Sequence, residues 1–311
     1  MPERIVVALG GNALLRQGDC GTAAEQAARS LAAMEALALS LTADRQVVIT
    51  HGNGPTVGNI LIRQHLAQHA VPPMPLDVCG AESQGNIGYL LERALQQVLR
   101  QRHLHRPVAT LLTMVEIDPH DPAFAHPTKP IGPFLSAQEA EQLARTASVI
   151  RDSDRGFRRV VASPTPRHIL EISALETLLD AGVIVIALGG GGVPVAFTET
   201  QQLIGLEAVI DKDLSSSLLA REIGASTLII LTDIDCVYLD FLSPQRRPLR
   251  QVSIAEAEAH LRNDEFLPGS MAPKIEAGIA FLRAGGQRVF IGLPEDLPDL
   301  IEGKVGTTLL P

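Results

Sequence analysis

Six short runs rich in Val and Ile mark the chain: Ile5–Leu9, Val47–Thr50, Val108–Val115, Val183–Leu188, Thr227–Leu231 and Arg288–Ile291. Their apolarity is continuous rather than alternating, the pattern of strands covered on both faces in a parallel sheet. Between them apolar residues return at helical spacing, as in Leu31, Met34, Ala38 and Leu41, and again in Ile87, Leu91, Leu95 and Val98. Strand and helix signals in alternation predict an α/β fold, an open αβα sandwich around a mostly parallel central sheet. One stretch breaks the rhythm. From about 117 to 166 the chain carries many Pro, Asp and Arg residues and only a modest helical pattern after Ser136. That is too long for an ordinary connection, so a single domain over 1–311 is expected to carry a small inserted lid subdomain at about 117–166.

Glycine-rich turns follow three of the runs: Gly10-Gly11-Asn12, His51-Gly52-Asn53-Gly54-Pro55 and Gly189-Gly190-Gly191-Gly192. In a parallel sheet these turns lie at the carboxyl ends of strands, where open α/β folds bind ligands. Glycine there lets backbone N–H groups approach an anion, and helix N-termini add positive potential. Two familiar phosphate motifs fail. No Gly-Lys-Ser/Thr closes any of these loops, which excludes a Walker A site. Gly189–Gly192 runs into Val193-Pro194-Val195, which reads as extended and not as the helix a dinucleotide fingerprint opens.

Composition narrows the chemistry. Tryptophan is absent and aromatics make up 3%, so the core must be aliphatic and few platforms remain for stacking bases. A net charge of −9 also repels a phosphate backbone, and nucleic acid is not an expected partner. Cys20, Cys79 and Cys236 show no metal-ligand spacing and read as reduced thiols, so no protein-bound metal centre is expected. The N-terminus has no signal-peptide layout, and no apolar run reaches the roughly 18 residues a membrane span needs. A cytoplasmic chain without membrane contact is the expectation. Lysine carries the sharpest signal. Only four occur among 26 basic residues, and Lys129, Lys212 and Lys274 fall inside the most motif-like segments, Pro127–Pro130, Asp211–Asp213 and Gly269–Lys274. A compact, mobile point charge differs from arginine where it must meet a phosphoryl oxygen, and the pattern points to phosphate chemistry. Lys304, beside Glu302, reads as a surface charge.

These segments, in this order, resemble the carbamate kinases, members of the amino-acid-kinase fold family. The likeness rests on Ala8–Leu14, His51–Pro55, Ser83-Gln84-Gly85 with Ile87-Gly88-Tyr89, Pro127–Gly132 and Arg158–Val161. It continues through Gly189–Val195, Glu207–Leu214, Leu231–Tyr238, Gly269–Lys274 and Gly306-Thr307. Thr56 stands where the family usually has Gln, Asn86 where Met is common and Ala272 where Gly is common.

The resemblance implies a reversible reaction in which ATP and carbamate give ADP and carbamoyl phosphate with Mg²⁺. It further implies a cytoplasmic homodimer serving catabolism, such as arginine breakdown, and running toward ATP. Carbamate and carbamoyl phosphate would occupy the N-terminal part and the adenine nucleotide the C-terminal part. Two unit charges about 4 Å apart repel by roughly 4 kcal/mol at an effective dielectric near 20, so a site joining two anions needs positive groups more than a base. By resemblance Lys212 and Lys274 meet the transferring phosphoryl group and Lys129 reaches the small substrate from the lid. Asp211 is the better candidate to orient the lysines, and Asp213 would do the same or act on the Mg²⁺ shell through water, although an Asp at a helix start also serves as a cap. Gly10, Gly11, Asn12, Gly52, Asn53 and Gly54 would cradle carbamate and the γ-phosphate, with Asn53 equally readable as a left-handed turn residue. Gly190, Gly191, Asp233, Tyr238, Ser270 and Met271, with Lys274, would bound the nucleotide. His51 reads as a structural, hydrogen-bonded residue. The rival readings are a sister kinase forming another acyl phosphate, a non-catalytic nucleotide-binding regulator and, more remotely, a dehydrogenase. Glutamate-type sisters commonly place a Lys in the first turn, where this chain has Gly10-Gly11-Asn12.

Overall fold

The computed structural model describes residues 2–11, 21–40, 45–145, 147–151, 156–241, 243, 245–267 and 269–311. In chain order the first half runs β1 (Glu3–Leu9), α1 (Ala23–Ala38), β2 (Arg45–His51), α2 (Gly54–Ala67), α3 (Leu76–Gln101), β3 (Val108–Thr110) and β4 (Met114–Ile117). The middle holds β5 (Lys129–Leu135), α4 (Ala137–Leu143), β6 (Val149–Arg151), β7 (Phe157–Val161), β8 (Pro166–Ile169), α5 (Ile172–Asp180), β9 (Ile184–Ile186), β10 (Val193–Phe197) and β11 (Leu203–Gly205). Next come α6 (Lys212–Glu222), β12 (Thr227–Leu231), β13 (Val237–Leu239), β14 (Arg247–Leu249), β15 (Gln251–Ser253) and α7 (Ile254–Arg262). The chain closes with α8 (Ala272–Arg283), β16 (Arg288–Gly292), α9 (Leu297–Ile301) and β17 (Thr307–Leu310).

The main sheet has the order β15-β17-β16-β12-β1-β2-β9-β3, and only β17 against β16 pairs antiparallel. Its central strands explain the continuous apolar runs. Val6, Val48, Val185, Leu228 and Ile230 pack on one face with Leu175 of α5, Leu219 of α6 and Ile275 of α8. Their neighbours Ile5, Val7, Leu9, Ile49 and Ile229 pack on the other with Met34 and Leu37 of α1 and Leu91 and Leu95 of α3. Successive strand residues point to opposite faces, so both faces must be apolar. The predicted αβα sandwich is the observed fold. Local chemistry starts several of its helices. Thr22 with Glu25, Ser136 with Glu139 and Ser253 with Glu256 each form a reciprocal capping box, satisfying donors that a helix N-terminus leaves open. Leu41, read as the end of the α1 stripe, and Cys20 lie outside the described residues.

One strand reading needs correction. The run Val108–Val115 is not one strand but two, β3 in the main sheet and β4 in a second sheet ordered β11-β10-β4-β8. Between them the buried Gln84 side chain donates to the Thr113 carbonyl (3.0 Å) and accepts from the Thr113 N–H (2.9 Å). A side-chain amide thus replaces a neighbouring strand and lets the chain leave the sheet, which no apolar count reveals.

Within 117–166, β5, β7 and β6 form a separate antiparallel sheet with α4 against it. It is seated on α2 and α3 by a small apolar cluster of Val57, Ile60, Leu76, Cys79, Ile131 and Val161. Gly58 allows the contact: a Cβ there would lie 3.1 Å from the Gly132 Cα. Among the described residues no helix is long and apolar enough to cross a membrane.

Candidate active site

The carboxyl ends of β1, β2, β9 and β12 converge as the parallel order requires. The Gly10 N–H donates to the Leu231 carbonyl (2.9 Å) and the Gly52 N–H to the Leu9 carbonyl (3.0 Å), so each turn extends the sheet by one bond. A Cβ on Gly52 would stand 2.9 Å from the Gly11 nitrogen and 3.6 Å from the Lys212 side chain. Bare backbone at Gly52 therefore lies between Gly11 and the Lys212 stem. Asn12 lies outside the described residues.

Helix α6 aims its first turn at this point. Asp211 is the N-cap residue; its Oδ1 accepts from the Asp213 N–H (2.9 Å), while Oδ2 accepts from Lys129 Nζ (2.7 Å) on the inserted sheet. Capping and ion pairing are thus done by different oxygens of one carboxylate. Asp213 is buried and holds the other two lysines: Lys212 Nζ donates to Oδ1 (2.5 Å) and Lys274 Nζ, from the first turn of α8, to Oδ2 (2.9 Å). Asp213, not Asp211, is therefore the residue that orients Lys212 and Lys274, and the expected ranking of the two is reversed.

Burial and charge set the protonation states. Burial alone raises a carboxyl pKa, but the two lysines outweigh it and hold Asp213 far below the usual carboxylate range. Lys212 is pulled down by burial and by Lys274 despite Asp213. Burial pulls on Lys274 too, but Asp213, Asp211 and Asp233 outweigh it and leave that lysine above its ordinary value. Glu276, two residues beyond Lys274 on α8, is held above the usual carboxylate range by burial and by Asp211.

His51 is buried with Nδ1 against the Gly52 carbonyl (3.1 Å), which assigns the proton to Nδ1. Burial lowers its pKa to about 4 and leaves the ring neutral. It is the structural residue expected from sequence.

The remaining candidates divide. Asn53 is buried, its amide donates to Ser83 Oγ (2.8 Å), and its φ of −135° is not left-handed, so it is no αL turn residue. Gly54 opens α2 beside it. Gly190 and Gly191 have φ of +67° and +93°, and a Cβ on Gly190 would lie 2.1 Å from the Asn53 amide. The glycine turn is thus packed between Asn53 on one side and Ile210 and Ser215 on the other, since a Cβ on Gly191 would lie 2.5 Å from the Ile210 carbonyl oxygen and Ser215 Oγ donates to the Gly191 carbonyl. Asp233 follows β12 and lies close enough to Lys274 to act on its charge. Tyr238 donates to Asp235 (3.0 Å) and carries the Arg246 guanidinium over its ring at 4.7 Å. Ser270 precedes α8, whereas the Met271 side chain belongs to the apolar core. Sequence reasoning missed Glu276 and the buried run Ser215-Ser216-Ser217, whose signal was three consecutive polar residues in a helix read only for its leucines.

The profile of the amino acid kinase family matches residues 3–292. The chain is 44% identical to a carbamate kinase of Pyrococcus horikoshii, with all of both chains covered. It is 42% identical to a carbamate kinase-like protein of Escherichia coli, over 100% of this chain and 99% of that one. A solved carbamate kinase of Giardia lamblia bound to AMP-PNP superposes with a TM-score of 0.92 at 38% identity, covering 99% of this chain and 98% of the other. The chain belongs to the amino acid kinase family, on its carbamate kinase branch.

Proposed function

We propose that this protein transfers a phosphoryl group reversibly between Mg·ATP and carbamate, giving ADP and carbamoyl phosphate. The observation that carries the reading is the meeting of Lys129, Lys212 and Lys274 with Asp211 and Asp213 at the glycine strand ends. Carbamate enters as an anion. One of its oxygens attacks the γ-phosphorus, the bond from phosphorus to the β–γ bridging oxygen breaks, and the electron pair leaves with ADP. No proton has to move, so no base is required, and a neutral, buried His51 fits that demand. What the reaction needs is charge to offset the crowded oxygens. Lys212 and Lys274, fixed by one carboxylate, supply it at the phosphoryl group, and Lys129 supplies it at the small substrate.

Mg²⁺ arrives with the nucleotide in this reading. Among the described residues no group of three or more His, Cys, Asp or Glu side chains could hold a metal ion. Both oxygens of Asp213 are engaged by lysines. Magnesium readily keeps phosphate and water ligands instead. The adenine nucleotide lies toward Asp233, Tyr238 and Ser270 in this reading, and the Giardia relative bound to AMP-PNP supports a nucleotide site as such. A cytoplasmic homodimer running toward ATP in catabolism completes the proposal; light scattering at twice the mass of one chain tests the dimer.

ATP formation from Mg·ADP and carbamoyl phosphate, followed by a coupled assay against an enzyme-free control, tests the reaction. Turnover well above the control is expected. Binding of ADP without turnover would move the reading to another small carboxylate or to a regulator.

A further inference from the structure

Three consecutive serines of α6, Ser215, Ser216 and Ser217, are at most 1% exposed. Successive helical residues point about 100° apart, so the three together are enclosed over most of the helix circumference. Serine is a poorer helix former than alanine, and a buried hydroxyl is costly unless bonded. Each of these is bonded, and each to a different part of the site. Ser215 Oγ donates to the Gly191 carbonyl (2.7 Å), in the glycine turn after β9. Ser216 Oγ donates to the Lys212 carbonyl (2.7 Å) and shares a 2.6 Å hydrogen bond with Thr50 Oγ1, next to His51 at the end of β2. Ser217 Oγ donates to the Ala277 carbonyl (2.7 Å) of α8.

The last bond has a particular place. Ser217 lies four residues beyond Asp213 on α6, and Ala277 three beyond Lys274 on α8. The Ser217–Ala277 bond is therefore the next rung behind the Asp213–Lys274 ion pair between the same two helices. We propose that the serine run is the positioning device of this site, and that Ser217 sets the spacing of Lys212 and Lys274 across Asp213. It touches no substrate and acts through the helices that carry the lysines. The proposal rests on these two lysines being the phosphoryl-facing groups.

Ser217→Ala tests it, with Ile223→Val at the far end of α6 as a control for general loss of stability. The readouts are kcat, KM for ADP and the ε-carbon NMR signals of lysine-labelled protein, where four lysines give few signals to assign. Expected for Ser217→Ala are a kcat about tenfold lower, the scale of one lost hydrogen bond, and KM within about twofold. The Lys212 and Lys274 signals should move while that of exposed Lys304 stays. Should this variant fail to fold, Ser217→Cys, close in shape but with only a weak S–H donor, takes its place with the same readouts. A kcat no lower than in the control at a matched loss of Tm, or unmoved Lys212 and Lys274 signals, would overturn the proposal. If the wild-type protein shows no turnover, the functional reading fails, and the lysine signals still decide the positioning role.

Discussion

Replacing Asp213 by Asn keeps the shape of a buried side chain and removes the charge to which both Lys212 and Lys274 donate hydrogen bonds. At 2.5 and 2.9 Å, each pair is worth on the order of 6 kcal/mol at an effective dielectric near 20. Taking three ions out of water offsets several kcal/mol for each. What is lost on deleting the shared partner is about 3–5 kcal/mol, the usual cost of leaving buried charge uncompensated. Lys212, already pulled down by burial, can shed its proton and so limits the loss from above. The pH dependence follows from the depressed Asp213 pKa. A group whose folded pKa lies below its unfolded value contributes stability above the unfolded pKa, near 3.9, and loses it as pH falls toward the folded one. Urea unfolding of wild type and Asp213→Asn should therefore differ by about 3–5 kcal/mol at pH 7, and by roughly 1 kcal/mol less at pH 3. A difference below about 1 kcal/mol at pH 7 would refute the shared-carboxylate account.

Lys212→Ala or Lys274→Ala should leave a folded protein with turnover reduced by about 10²–10³, the scale of losing one charge-stabilising donor; near-normal turnover in a folded Lys212 variant removes its assigned role. Lys129→Ala should raise KM for carbamoyl phosphate while ADP affinity, read by calorimetry, changes little. Gly190→Ala places a methyl against the Asn53 amide at a φ of +67°, and thermal unfolding should show a loss of about 1–3 kcal/mol. His51 is held neutral with its pKa lowered to about 4. Its contribution is complete above the unfolded value near 6.5 and is lost as pH falls toward 4, by about 3 kcal/mol in total; His51→Gln should remove that slope from a stability–pH curve.

Much of the architecture was legible because its causes are local or periodic. Continuous apolar runs named buried parallel strands, and the Thr/Ser-x-x-Glu spacings at Thr22, Ser136 and Ser253 carry capping boxes that only the structure brought to notice. The scarcity of lysine marked the residues that the structure gathers: Lys129, Lys212 and Lys274 come from three separate elements and meet through two neighbouring carboxylates.

What sequence alone left open depended on which atoms approach one another. Asp211 reads from sequence as the better partner for the lysines around Lys212, yet the helix turn directs it to the inserted sheet and sets Asp213 between two lysines. The run from Val108 to Val115 looks like one strand until Gln84, far away in sequence, occupies the backbone of Thr113. The tetraglycine turn looks like an open anion cradle, but Asn53 fills the space beside Gly190. The buried serines look like helix filler until their three partners are known. Periodicity and residue type determine which segments are buried and which carry charge, because hydrophobic burial is non-directional. Hydrogen bonds and ion pairs demand distances and angles between residues remote in the chain, and only the tertiary structure decides those.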